Sequence, residues 1–162
     1  MIFRQLFDRD SSTYTYLLGD PKSGEALLID PVITNTLSYL NLLEQLNLQL
    51  KVCLDTHTHA DHITALGALR DHGGCITMMG EQSMADCVSK TFAHGDQIAV
   101  GDIQLEVIYT PGHTDDSYSF YAPKQSMLFT GDTLLIRGTG RTDFQNGDPL
   151  AQYHSLHQVL LK

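Results

Sequence analysis

THTHADH, residues 56–62, sets three histidines and an aspartate within seven positions. Directly before it runs LKVCLD (50–55), a short apolar stretch that reads as a buried strand. His57 and His59 therefore leave a strand end on extended backbone, where imidazoles two residues apart can turn toward one centre. Asp61 and His62 are expected in the first turn of a following helix, about ITALGALRDH (63–72), which stops at Gly73-Gly74. Two later segments place the same residue types at strand ends: His113 in PGHT (111–114) after IQLEVIYT, and Asp132 in GDT (131–133) after SMLFT. Loops at one end of neighbouring strands converge in a layered sheet fold, so all three can meet. Taken singly, each residue has an ordinary explanation, and Asp61 would make a respectable helix N-cap. His72, His94, His154 and His157 keep that ordinary explanation, whereas HxHxDH with a later PGHT and TGD reads as a metal-binding set.

Outward from the motif, TYTYLLGD (13–20) and EALLIDP (25–31) alternate apolar and polar residues around the turn signal DPKSGE, which predicts an antiparallel hairpin. Leu37, Leu40, Leu43 and Leu46 recur every three residues behind Asn35, a suitable N-cap, and predict a helix with one apolar face. Beyond the motif come a strand at CITMM (75–79), a short helix near EQSMADCVSK (81–90), and strands at IQLEVIYT, SYSFYA and SMLFT. A last amphipathic helix is announced by Asp148-Pro149. Strands mixed with helices in this way predict an α/β (α+β) layered fold with helices outside packed sheets. No repeat, low-complexity tract or linker divides residues 1–162, which read as one domain.

The formal net charge of −9, with no basic run, disfavours nucleic acid and anionic lipid as partners. An anionic small molecule would need a local arginine, and Arg137 and Arg141 are the candidates. The longest apolar runs are too short to span a bilayer, and MIFRQLFDRD (1–10) lacks the basic and apolar regions of a signal peptide. No membrane association is expected, and the expected location is the cytoplasm, or the mitochondrial matrix for a processed eukaryotic protein. Cys53, Cys75 and Cys87 are odd in number without CxxC spacing, which argues against disulfides or a thiolate metal site. Cys53 and Cys75 read as buried small hydrophobes.

THTHADH, TPGHT and FTGDTL, in this order, resemble the metallo-β-lactamase superfamily, an αββα sandwich with metal at the sheet edges. HADHITALGALR and GDTLLIRGTGRTDFQ narrow the resemblance to the persulfide dioxygenase branch, and it runs along essentially the whole chain. The resemblance implies one Fe(II) per chain held by His57, His113 and Asp132. Two imidazoles and a carboxylate leave positions for a substrate sulfur and O₂. His59, Asp61 and His62 would then brace the ligands, with a second metal ion as the other reading; His59 and Asp61 are also the candidate catalytic residues. Arg141 would lie near the site and bind the anionic glutathione portion, against an ion pair with Asp143 or Asp148. Tyr16 reads as a core tyrosine. The implied reaction oxidises glutathione persulfide with O₂ to sulfite and glutathione.

Two rival readings stand beside it. One is a glyoxalase II-like hydrolase, whose two zinc or iron ions would activate a water against a glutathione thioester. The other is a shortened metal-binding form without turnover. Zinc remains the alternative metal, because histidine and aspartate suit both ions. Thr139 stands where many relatives carry cysteine. Superfamily members also continue past this length with a further strand, a histidine and helices. The sandwich is therefore expected to lack its C-terminal part and much of the glutathione pocket. The edge or face left open would invite association, for example as a homodimer.

Overall fold

Neighbouring residues in the central strands belong to different cores, and this sets the layering of the chain. In the computed structural model, which describes residues 1–162, the first sheet begins with an antiparallel meander of β1 (Ile2–Phe7), β2 (Tyr14–Asp20) and β3 (Glu25–Ile29). Parallel strands β4 (Gln49–Leu54), β5 (Ile76–Gly80) and β6 (Lys90–Phe92) extend it in the order β1-β2-β3-β4-β5-β6. The second sheet is antiparallel, β10-β9-β8-β7, built from β7 (Gln97–Val100), β8 (Ile103–Tyr109), β9 (Tyr118–Ala122) and β10 (Met127–Phe129). Helices α1 (Thr36–Gln45) and α2 (Leu66–Gly73) supply the crossovers that the parallel β3-β4-β5 pairing requires.

One core lies between the sheets and contains Leu18, Leu27, Leu54, Leu105, Val107 and Phe120. The other lies between the first sheet and the helices, where Leu17, Leu28 and Cys53 meet Tyr39, Leu43 and Leu69. Successive strand residues point to opposite faces, so Leu17/Leu18, Leu27/Leu28 and Cys53/Leu54 each divide between the two cores. A strand covered on both sides reads as a continuous apolar run, so LLGD, ALLID and VCLD depart from the alternation expected of the hairpin. Each such leucine contributes roughly 1.5–3 kcal/mol by leaving water.

Several expectations need correction. Leu37 is 73% exposed, and α1 turns Tyr39 and Leu43 inward. A three-residue step falls short of a full helical turn, so over nine residues the leucine stripe drifts about half a turn round the axis. Asn35 does not cap α1; its amide donates instead to Asp8 Oδ1 at 2.9 Å. Helix α2 starts at Leu66, so Asp61 and His62 lie on a loop and not in a first turn. Thr64 instead forms an isolated antiparallel bridge with Val32, flanked by Ile33 N–H to Ile63 O (2.9 Å) and Ala65 N–H to Pro31 O (2.7 Å). The segment 81–90 forms a 3₁₀ turn at Glu81–Ser83 in place of a helix, and strands β1, β6 and β7 were not foreseen.

Helix α3 (Pro149–His154) starts where Asp148-Pro149 placed it, the Asp148 carboxylate accepting from Leu150 N–H and Ala151 N–H. It continues as a wider π-helical turn, Ser155–Leu160. Gln152 donates to the Thr133 carbonyl (2.6 Å) and Ser155 to the Pro111 carbonyl (2.7 Å), so the helix buttresses the loops after β10 and β8.

Candidate metal centre

The C-terminal ends of β3, β4, β8 and β10 deliver Asp30, the 55–62 loop, the 110–116 loop and Asp132 to one place. Ligand atoms of His57, His113 and Asp132 lie within 4.8 Å of one another, and so do those of His59, Asp61 and His62. The two sets adjoin: ring centroids of His57 and His59 are 4.1 Å apart, and those of His57 and His113 are 5.0 Å apart. Every metal-site residue expected from the sequence is therefore in one cluster. His57 and His113 are buried, while the Asp132 side chain, 3.5 Å from His113 Nε2, is 49% exposed.

Hydrogen bonds decide which ring nitrogens are free. The Thr56 hydroxyl lies 2.9 Å from Asp30 Oδ2 and 2.9 Å from His57 Nδ1. A carboxylate only accepts, so Thr56 donates to Asp30 and accepts from His57 Nδ1–H. His113 Nδ1–H donates to the Arg141 carbonyl at 2.8 Å. Both Nε2 lone pairs are thereby left for a ligand, each ring oriented by a partner on its far side. Burial, reinforced by His59, pushes His57 down to about 3, so the imidazole is neutral, the form that binds a cation.

His59 is the reverse case. Burial opposes its charge, but the Asp30 carboxylate 3.2 Å from Nε2 outweighs that and raises it to about 9. Asp30 is held below the usual carboxylate range by the same partner despite its own burial. Burial lifts Asp55 to about 7 and raises Asp132, against the field of His113 and His59. His62 Nδ1 sits 3.1 Å from Asp61 Oδ2 and 3.2 Å from Thr13 Oγ1, whereas its Nε2 is buried without a hydrogen-bond partner. A buried nitrogen left unpaired costs about 1–3 kcal/mol, and a cation would use its lone pair. The donor set, the tautomers and this orphaned atom all fit a metal.

Of the two readings of Arg141, the ion pair with Asp143 is the one formed. Its side chain is 64% exposed and forks onto Asp143 (2.7 and 3.0 Å), with Phe144 beneath it, while its carbonyl orients His113. Gly140 allows this approach, since a Cβ there would meet the Asp132 carbonyl and the His113 ring. Asp30, Thr56 and Asp116 were missed. Their only signal was a polar residue closing an apolar run, as in LLID and CLDT, or a second acid in HTDDS.

A two-sheet sandwich with paired His/Asp clusters at its strand ends defines a metal-dependent fold class. The chain belongs to the metallo-beta-lactamase superfamily, whose profile matches residues 8–84 and 89–162. It is similar to the mitochondrial persulfide dioxygenase ETHE1 of Mus musculus, 46% identical over 161 residues, which are 99% of this chain and 63% of the mouse protein. The crystal structure of ETHE1 from Myxococcus xanthus superposes with a TM-score of 0.95 at 49% identity, covering 99% of this chain and 70% of that one. A hydroxyacylglutathione hydrolase of Thermosynechococcus vestitus is 33% identical over 92% of this chain and 59% of its own length. The chain thus spans a little under two thirds of the curated relatives it matches. No helix is long and apolar enough to cross a membrane.

Proposed function

We propose that this chain carries the iron site of a persulfide dioxygenase, with one Fe(II) on His57, His113 and Asp132. The reaction takes glutathione persulfide, O₂ and water to glutathione and sulfite; the electrons lost by the outer sulfur are those O₂ takes up. The observation that carries the reading is the His57–His113–Asp132 set. It has two imidazoles whose Nδ1 atoms are hydrogen-bonded, so that each Nε2 is free, and one partly exposed carboxylate. Ferrous iron on such a two-histidine, one-carboxylate set supplies electron transfer between a bound sulfur and O₂. Persulfide dioxygenase relatives at 46–49% identity support the same reaction class.

The protein's own groups orient and move protons. Thr56 and Asp30 fix His57, and the Arg141 carbonyl fixes His113. His59, raised to about 9, holds a proton beside the site at neutral pH, and Asp61 Oδ1 lies 3.9 Å from its Nδ1. These two are the groups placed to exchange protons with the departing thiol and sulfite. Asp61 Oδ2 is already engaged by His62 and Thr13, which favours a bracing role for this second set over a second ion. Arg141 at the rim would take a glutathione carboxylate by exchanging it for Asp143. The compartment would be the cytoplasm or the mitochondrial matrix.

A binuclear thioester hydrolase is the second reading, favoured by the unpartnered His62 Nε2 and the hydrolase relative. Anaerobic expression, metal analysis and O₂ uptake with glutathione persulfide separate the readings. Near one iron per chain with persulfide-dependent O₂ consumption is the expected result. Two ions per chain, no O₂ uptake and thioester hydrolysis would sink the proposal in favour of the hydrolase. Iron without any turnover would leave a metal-binding form without catalysis.

A further inference from the structure

His57 follows β4 in the first sheet, whereas His113 follows β8 in the second. Their separation is thus a distance between sheets, which no strand ladder sets. Two sets of hydrogen bonds join the segments that carry them. One is a backbone bond, Tyr118 N–H to the Thr56 carbonyl at 2.8 Å. The other is made by a side chain outside both histidine motifs.

Asp116 is 4% exposed and has no cationic partner among its hydrogen bonds. Its Oδ2 accepts from the Thr58 N–H (2.9 Å) and the Thr58 hydroxyl (2.6 Å), and Thr58 stands between His57 and His59. Its Oδ1 accepts from the Thr114 hydroxyl (2.6 Å), and Thr114 follows His113. Ser117 Oγ, 2.7 Å from the same Thr114 oxygen, donates to it, since the Thr114 hydrogen is already given to Asp116. The Thr58 carbonyl is also taken, by Gln145 Nε2 at 2.9 Å. One buried carboxylate therefore grips the residue next to each metal-facing histidine. Bonds to a charged acceptor are short and directional, so they constrain both loops more tightly than apolar packing would.

We infer that Asp116 is a positioning residue that sets the separation of His57 and His113 across the two sheets, and through it the fit of the metal pocket. The inference rests on the metal-site reading above but on neither the identity of the metal nor the reaction. Co(II) is the probe, added to metal-free protein in competition with a chelator, with affinity and visible ligand-field spectrum as readouts. Asp116→Ala is expected to weaken Co(II) binding about 10- to 100-fold, the range found when groups supporting metal ligands are removed, and to alter the visible bands. Asp116→Asn keeps one accepting oxygen and should fall between. Asp115→Ala, at an exposed neighbour bonded to Asn146, should leave both readouts unchanged.

A purely structural role would lower the melting temperature of the metal-free protein without moving the spectrum. An Asp116→Ala protein that folds and matches the unsubstituted chain in affinity and bands overturns the inference. Should Asp116→Ala fail to fold, Thr58→Val and Asp116→Asn decide it. Weakened affinity with shifted bands in both supports the clamp, and unchanged binding overturns it. An unsubstituted chain that binds no Co(II) would instead remove the metal-site reading on which the clamp depends.

Discussion

Thr56 shows how a single hydroxyl links a proposed ligand to a buried charge. It accepts from His57 and donates to Asp30, which also receives the Thr56 N–H at 2.7 Å. Thr56→Val keeps the shape but leaves His57 Nδ1–H without an acceptor and Asp30 short of a donor. We expect a loss of about 1–3 kcal/mol in stability and, with the ring free to reorient, about 10- to 100-fold in metal affinity. Urea midpoints and a metal titration measure the two effects separately; an unchanged affinity would show that packing alone orients His57. The proposed ligands stand out in the sequence because each is part of a local string: HxHxDH, PGH and GD. Asp30 does not, because it stands 26 residues before Thr56 and meets it only through the parallel β3-β4 pairing. Arg141 was legible as a residue near the site, but its carbonyl, not its side chain, contacts His113, and no sequence pattern marks a carbonyl.

At the scale of elements, the sequence announced most strands and the start of α3, since these depend on nearest neighbours and turn residues. It misplaced the inward face of α1 and the start of α2, since those depend on what packs against them. The two outcomes make a matched test. Leu37→Ala on the exposed side of α1 should shift stability by no more than about 0.5 kcal/mol. Leu43→Ala, buried against the first sheet, should cost about 2–5 kcal/mol. Chemical denaturation of the two variants checks this, and a comparable loss from both would mean that the leucine spacing had marked the buried face after all. The cap on α3 allows a second test. Asp148→Ala removes the acceptor for Leu150 N–H and Ala151 N–H and should cost about 1 kcal/mol. Because Gln152 and Ser155 on that helix hold the Thr133 and Pro111 carbonyls, metal affinity should fall with it, whereas a cap acting alone would change stability only.

Across the whole molecule, the two sheets are joined by charged groups at both ends, one of which is the metal-site end. At the far end, Asp20 closes β2 and accepts from Asp102 N–H in the β7-β8 turn (3.0 Å) and from Lys22 N–H (3.0 Å), while Glu25 accepts from Gly101 N–H (3.0 Å). The donated N–H of Asp102, then that of Lys22, hold the Asp20 carboxyl below the usual carboxylate range. A carboxylate whose folded pKa is depressed stabilises the fold above its unfolded value, near 4, and that contribution disappears as pH falls through the folded value. Asp20→Asn should therefore be less stable than the unsubstituted chain at pH 7, with the gap closing below about pH 4 as the native carboxylate protonates. This turn is remote from the histidines, so the metal content of the variant at pH 7 should not change. Urea midpoints at pH 7 and near pH 3, with metal analysis at pH 7, test both halves. A gap that persists into acid would assign the loss to the shape of the turn and not to charge. A loss of metal would mean that the contacts at the far end of the sheets help to set the spacing of the histidine loops.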